Sequence, residues 1–506
     1  MNTIRTTITT FRESYLSSDT VDPENFSDWD SRNFRYKFFW AMFENTAYEE
    51  RIHTWAKGYK TRQSLYKYIR GIYNPSARVC NFQRDHVWAG RLNIVDGLAT
   101  DEGALPIVTD NETLRSAIAT LWQASNWQAK KDLTILWGAV FGDVAISIVD
   151  NPEKQKVYLR IVNPGTLTRV ERDFFGNVKS YEIQEIRVND EDEEYEYREI
   201  ATRDGENVIY ATYLDGEVYD FGQGGEWTVP YGFIPMVIIP HIDVGLDWGY
   251  SELHTGRGKF AEIDDIASKL NDQIRKTVDA KWLASGVENP KLRQKSLTMT
   301  GATPTEDKPQ PGREEEHILY APQGASMQPL IAPLPIDATN ATIQQMYEAL
   351  ENEYPELKLE KLTVQGALSG AALRIARQPV ETKILQRRAS YDDALVRVHQ
   401  MAIAIGGWRT YAGYEGFSLA SYEQGALDHS IGERPVFRTF ETDKIEQAAQ
   451  FWTAAKIAGE AGVGLTAFLQ EMGWGEEQIA TILNSPEYQA RLQSMQTGLL
   501  MDREEA

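Results

Sequence analysis

From Lys259 onward, apolar residues fall on one helical face: Phe260, Ile263, Ile266, Ala267, Leu270, Ile274 and Val278, at spacings of three and four. Lys259, Asp265, Lys269, Asp272, Lys276 and Asp279 surround that stripe. The spacing predicts an amphipathic helix over Lys259–Ala284, about 39 Å long at 1.5 Å per residue, ended by Gly286 and Pro290. Prolines crowd residues 286–335 and predict a compact non-helical module, with strands at Ser296–Thr300, His317–Tyr320 and Gln328–Ile331. A return helix follows over Asp337–Glu353, with Ala341, Ile343, Met346, Tyr347 and Leu350 inward, and Tyr354-Pro355 stops it. A loop over 356–368 then leads to a helix from Ser369, its N-cap, to Ile405. Pro379 should kink this helix and Gly406-Gly407 should close it. The pattern is an arm: helix out, small cap, helix back. Such an arm has too little apolar surface for a core of its own, and packing against copies of itself supplies the missing partner.

Elsewhere the period changes with position. Residues 1–130 read as mainly helical, with an aromatic-rich stretch over Phe34–Gly58 and helical spacing at Leu114, Ile118, Leu121, Trp122, Leu133, Leu136 and Trp137. From Val144 short strands are predicted at Val144–Val149, Val157–Val162, Val178–Val188, Val208–Leu214 and Met236–Ile239. Asn-Pro, Asp-Gly and Gly-Gly turns separate them, and Asp215-Gly216 is the best hairpin turn. The acidic run Asp190–Glu194 reads as a solvated loop tip. Thr442 caps a final helical module with breaks at Gly462-Val463-Gly464, Gly473-Trp474-Gly475 and Ser485-Pro486.

The 506 residues exceed what one hydrophobic core normally serves, so several subdomains are expected. The single cysteine, Cys80, excludes an intramolecular disulfide framework and reads as a small buried apolar residue. The most apolar run, Leu133–Val149, is broken by Gly138, Gly142 and Asp143, so no membrane span is expected. The first residues carry no apolar core of signal-peptide type. Net charge is −22, from 74 acidic and 52 basic residues, which argues against a tight sequence-specific grip on nucleic acid. It is compatible with a wall that lets DNA pass without holding it.

Catalytic motifs are missing. Gly256-Arg257-Gly258-Lys259-Phe260 lacks the first glycine and the metal hydroxyl of a phosphate-binding loop. Gly366-Ala367-Leu368-Ser369-Gly370 has the wrong spacing for a serine nucleophile elbow. The seven histidines show no metal-ligand spacing. Neither a cofactor nor an enzymatic role is expected. Arg374, Arg377, Lys383, Arg387, Arg388 and Arg397 make the long helix locally positive, which predicts a solvated or intersubunit face, or DNA contact.

Several stretches, in family order, resemble tailed-bacteriophage portal proteins, the connector rings at a capsid vertex. They are Arg70-Gly71-Ile72-Tyr73-Asn74-Pro75, Val140-Phe141-Gly142-Asp143-Val144-Ala145, Ile161-Val162-Asn163-Pro164, Gly249-Tyr250-Ser251-Glu252-Leu253 and Leu368-Ser369-Gly370-Ala371-Ala372-Leu373. The resemblance implies an α+β portal fold with a mixed α/β wing, a two-helix stem, a small clip module, a long kinked helix and an α-helical crown, assembled as a ring. Carried onto this chain, 1–250 is the N-terminal wing, 251–284 a stem helix, 285–335 the clip and 336–357 the return stem helix. Residues 358–368 become the tunnel loop, 369–440 the kinked helix and C-terminal wing, and 441–506 the crown.

The implied partners are copies of the chain, usually twelve in virions, and double-stranded DNA passing through the bore. The terminase large subunit, head-completion or adaptor proteins, and major capsid and scaffolding proteins complete the set. The implied site is the portal vertex of the virion, after assembly in the host cytoplasm. Lys358, Lys361, Thr363, Gln365, Glu348 and Glu351 are the channel candidates. Lys291, Arg293, Lys295, Arg313 and Glu314 are the clip residues for docking, and Pro379 marks the kink. Two rival readings stand beside this one: a carboxylate-dependent hydrolase, and another structural virion protein such as a capsid or adaptor subunit.

Overall fold

A 22-residue amphipathic segment needs a partner for its stripe, and among the described residues that partner lies near its base. That relation organises the architecture. The computed structural model describes residues 29–46, 74–189, 192–222, 224–278, 282–285, 318–321, 326–329, 336–364, 370–437, 441–486 and 488–490. Two units are separable, Met1–Val436 and Phe437–Ala506. Helix makes up 48% and strand 22%, and the larger sheets are confined to 143–240, which defines an α+β protein.

In the first unit α1 (Trp29–Phe43) and α2 (Ser76–His86) precede α3 (Glu112–Ser125) and α4 (Trp127–Phe141). The helical spacing through Leu114–Trp137 is carried by two helices. Asn126 separates them in the left-handed conformation (φ 51°, ψ 49°), which asparagine tolerates better than most residues. Strands β1 (Asp143–Asn151), β2 (Lys156–Val162), β3 (Leu167–Arg172), β4 (Val178–Val188), β5 (Glu194–Asp204), β6 (Asn207–Leu214), β7 (Glu217–Val218), β8 (Glu226–Val229) and β9 (Met236–Pro240) follow.

They form two antiparallel sheets, β9-β1-β2 and β7-β6-β5-β4-β3, with β8 pairing the other half of β6. All five predicted strands are present. Asp215-Gly216 makes the predicted two-residue turn, with both residues at positive φ and Leu214 opposite Glu217. Strands β3, β5, β7 and β8 are not among the predicted five, although the Asp215-Gly216 turn implies β7. The acidic run does not stay a loop tip throughout, because Glu194 already pairs with Val188 in the β4–β5 ladder.

The arm begins with α5 (Arg257–Val278). The prediction of helix through Ala284 fails because Trp282–Ser285 is a strand, β10. It is paired in parallel with β11 (Ile318–Ala321) and antiparallel with β12 (Ser326–Pro329). Sheet partners there override the helical spacing. The predicted strand Ser296–Thr300 lies outside the described residues. The return helix α6 (Ile336–Glu353) agrees with its prediction to one residue.

The predicted 356–368 loop is corrected. Pro355–Val364 is a further helix, α7, with Leu357 and Leu359 buried. Proline at a helix start costs nothing, since its missing N–H would be unpaired there anyway. The long helix α8 (Gly370–Trp408) runs through Pro379 and also through Gly406-Gly407, which do not close it. Those glycines answer a packing need. A Cβ on Gly406 would lie 2.6 Å from the Tyr414 ring, and one on Gly407 2.3 Å from the Phe417 carbonyl oxygen. The unit ends with α9 (Leu419–Glu423).

One core joins Tyr36 and Phe39 of α1, Val79 and Cys80 of α2, Phe141 of α4, Phe260 and Ile263 of α5, and Leu350 with Tyr354. Cys80 is fully buried there, as its small apolar character predicts.

The second unit contains α10 (Glu441–Glu460), α11 (Leu465–Glu471) and α12 (Glu476–Leu483), with breaks at both predicted glycine pairs. Thr442 lies inside the first turn of α10 rather than capping it. Phe451 packs against Phe468 and Trp474, with Leu469 and Ile479 buried.

Candidate functional site at the root of the helical arm

Two stretches singled out by sequence, Val140–Ala145 and Gly249–Leu253, meet. Gly142 ends α4 at φ +97°, and a Cβ there would lie 2.6 Å from the Ser251 nitrogen. Its carbonyl accepts from the His241 N–H at 2.8 Å, while the Ala139 carbonyl accepts from the Glu252 N–H at 2.9 Å and the Ser251 hydroxyl at 3.0 Å. The buried Asp143 carboxylate accepts from the Gly249 N–H at 2.8 Å and the Tyr36 hydroxyl at 2.9 Å. Burial pushes its pKa up to about 6 despite those bonds.

Beside this interlock lies a buried ionic cluster. Glu252, just ahead of the arm, contacts Lys383 at 2.5 Å, His241 at 3.0 Å and Arg387 at 3.4 Å. Lys383 also holds Glu356 of α7 at 2.7 Å. Two carboxylates and two cations therefore balance inside the subunit, as buried charges require. Burial opposes the Glu252 charge, yet Lys383 and the His241 hydrogen bond hold its pKa well below the usual carboxylate range. Burial raises the pKa of Glu356, with Lys383 only partly offsetting it. The same two acids raise the Lys383 pKa against its own burial.

Burial lowers the His241 pKa to about 4, so the ring is neutral at pH 7. An ionised Glu252 can only accept, so His241 Nε2 carries the proton and Nδ1 accepts from the Tyr391 hydroxyl at 2.9 Å. Gly138 makes room for that hydroxyl, which a Cβ would meet at 1.8 Å.

The arm's start is tied to its return at the same place. The Tyr354 hydroxyl, just past α6, donates to the Glu252 carbonyl and accepts from the Gly256 N–H, both at 3.0 Å. Gly256 allows this because a Cβ would fall 2.5 Å from the Tyr354 ring. Lys259 and Glu353 bridge the two helices one turn farther out.

Away from the root the stripe loses its cover. Phe260 and Ile263 are buried, Ile266 and Leu270 half-buried, and Ile274 is 39% exposed. On the return helix Ile343 and Leu350 are buried while Ile336 is exposed.

The predicted site residues separate. Glu348 and Lys358 are exposed. Glu351 is only 8% exposed, so in the single chain it faces inward and not toward a bore. Lys361 and Thr363 lie on α7, a helix and not the predicted loop. Gln365 and the clip residues Lys291, Arg293, Lys295, Arg313 and Glu314 lie outside the described residues. Pro379 is exposed, so the carbonyl left without its helical donor can turn to water.

The positive face of α8 is corrected for half its members. Lys383 and Arg387 are consumed by the Glu252 cluster, and Arg388 donates to the Val87, His86 and Arg434 carbonyls. These three stabilise the subunit from within and do not form a solvated or DNA-facing stripe. The cluster joins residues far apart in sequence, which no local spacing reveals. Its one sequence signal is a glutamate, Glu252, between apolar and small residues.

Two further polar constellations stand out among the described residues. Trp122 Nε1 donates to His399 Nε2 at 3.0 Å, His399 Nδ1 pairs with His429 Nε2 at 3.1 Å, and His429 Nδ1 meets the Leu427 carbonyl at 2.8 Å. The two ends fix the proton direction: each histidine is neutral and donates through Nδ1. The second is a cavity of about 210 Å³ between the two larger sheets, lined by aromatic rings, Asp150 and Glu199. Glu199 accepts from Tyr181 and Tyr197, both at 2.6 Å. Arg160 and these bonds overcome burial and lower its pKa. Asp150 accepts from Tyr231, Arg409 and Tyr411.

Among the described residues no group of His, Cys, Asp or Glu converges as metal ligands, and no helix is long and apolar enough to cross a membrane. Comparison with known proteins returns no matching family model and no matching curated protein.

Proposed function

We propose that this chain is the subunit of a phage portal: a ring at one capsid vertex that conducts double-stranded DNA inward during packaging and outward during ejection. The observation that carries the reading is the arm whose apolar stripe is buried at its root and uncovered farther out. Neighbouring arms in a closed ring supply the missing cover, and cyclic packing of identical arms leaves a central bore. The β10–β12 module sits between the two arm helices in sequence, where a clip that docks the terminase motor and later the head-completion proteins belongs.

In this reading the Glu252–Lys383–Glu356 cluster is a mechanical joint. It fixes the arm, the α7 helix and the long helix to one another, so a push on one is felt by all three. Lys358 and Lys361, both on α7, are the candidate contacts to DNA phosphates, and exposed acids such as Glu348 discourage adhesion along the wall. Negative-stain electron microscopy of the purified chain tests the proposal. Closed rings of about twelve copies with a bore support it, and a population of monomers or solid particles refutes it.

A further inference from the structure

Phe174 and Phe175, at the tip of the β3–β4 hairpin, are 97% and 82% exposed. The turn that presents them is not slack. Asp173 accepts through Oδ1 from the Phe175 and Asn177 N–H groups, both at 2.9 Å, and through Oδ2 from the Asn177 side chain at 3.1 Å. Its own N–H donates to the Asn177 carbonyl at 2.9 Å, and Gly176 takes positive φ. The two rings meet edge to face at 5.6 Å. A hairpin this firmly closed, holding two large apolar side chains in water, is built to bury them elsewhere.

The same chain carries a receptacle with an aromatic wall. The cavity of about 210 Å³ is walled by Tyr210, Phe221, Trp227 and Tyr231, with Arg160, Arg409, Asp150 and Glu199 as its charged members. A dry cavity of about 150 Å³ accepts benzene, so this one has room for a phenyl ring. Trp227 stacks flat on Tyr210 at 5.0 Å, which leaves a ready aromatic wall. Arg160 is held by Glu199 only at 3.6 Å, and its Nε finds no partner among the described residues. A guanidinium so placed can lie over an incoming ring. The finger and the cavity are different surfaces of one chain, which is the requirement for head-to-tail contacts that close into a ring.

We propose that the Phe174–Phe175 finger of one copy inserts a ring into the Trp227–Phe221 cavity of the next copy. This rests on the ring reading above and adds the contact that joins the wings of adjacent subunits. The test uses the full chain. The double variant F174S/F175S changes only exposed side chains, so its melting curve should match wild type. Its ring should dissociate on dilution at a concentration at least tenfold higher, since burying one phenylalanine is worth at least that factor. Rings that dissociate at the wild-type concentration overturn the contact while leaving the ring reading intact.

The second arm is covalent and does not need a ring. Chains carrying F175C are mixed with chains carrying F221C under mild oxidation. The contact predicts a disulfide dimer in the mixture well above that of either variant alone. If wild type proves monomeric, the ring reading fails, and this cross-link alone decides the contact: its absence overturns the proposal.

Discussion

The ammonium of Lys383, in the long helix, lies 2.5 Å from the carboxylate of Glu252, just ahead of the arm. Neither residue has a local reason to be charged. Their pairing binds the base of the arm to the long helix, and Glu356 extends it to α7. A lone buried charge is far costlier than a pair, so each partner enforces the other's position.

Removing the cation exposes that dependence. Lys383→Met should destabilise the chain by about 3–5 kcal/mol, because buried Glu356 loses its cation and Glu252 keeps only the longer contact to Arg387. The midpoint of urea unfolding measures it. The loss should shrink at acid pH, where the carboxylates can protonate. An unchanged midpoint would mean that the cluster does not hold the root together.

Acid should weaken the fold through His399. Burial holds its pKa well below the ordinary value of 6.5, with the neighbouring His429 adding to the effect. Below pH 6.5 the unfolded chain therefore binds a proton that the folded chain refuses. Stability supplied by this group is complete above that pH and lost as pH falls toward the folded value. His399→Gln should flatten stability against pH between 7 and 5 relative to wild type. Asp143 acts with the opposite sign. With its pKa pushed up to about 6, its contribution is present below 3.8 and lost as pH rises through 6. The difference between wild type and the His399 variant isolates the histidine.

Two glycine substitutions should differ in sign. Gly142→Ala places a Cβ 2.6 Å from the Ser251 nitrogen at a φ of +97°, and should cost at least about 1–3 kcal/mol. Gly258→Ala, inside α5 with nothing within 4 Å, should stabilise by about 0.5–1 kcal/mol. Thermal unfolding of the two variants reads both signs.

The contrast shows where sequence is legible. Alternating strands, the Asp215-Gly216 turn and the amphipathic stripe of α5 are local patterns, and each is found where the pattern puts it. Gly258 is an ordinary helical glycine in open space. Gly256 precedes the helix, because Tyr354 needs its place. The misses share a cause. Trp282–Ser285 is a strand because distant segments pair with it, and Pro355–Val364 is a helix because Leu357 and Leu359 find a core to enter. The Glu252 cluster was unreadable for the same reason. Lys383, Arg387 and Arg388 look like a surface stripe until the partners that bury them are known.

DNA contact from α7 gives a fourth prediction. Replacing Lys358 and Lys361 with alanine should lower the DNA packaged per particle severalfold and leave ring mass unchanged. Quantifying packaged genomes against capsid protein checks it, and unchanged packaging removes these lysines from the channel.

In the proposed assembly, uncovered arms find cover in a closed ring. Native mass measurement of the purified chain tests this most directly. One dominant species is expected at about twelve times the 57.4 kDa subunit, without a ladder of open intermediates. A species that stays at the mass of one subunit at every concentration would contradict it.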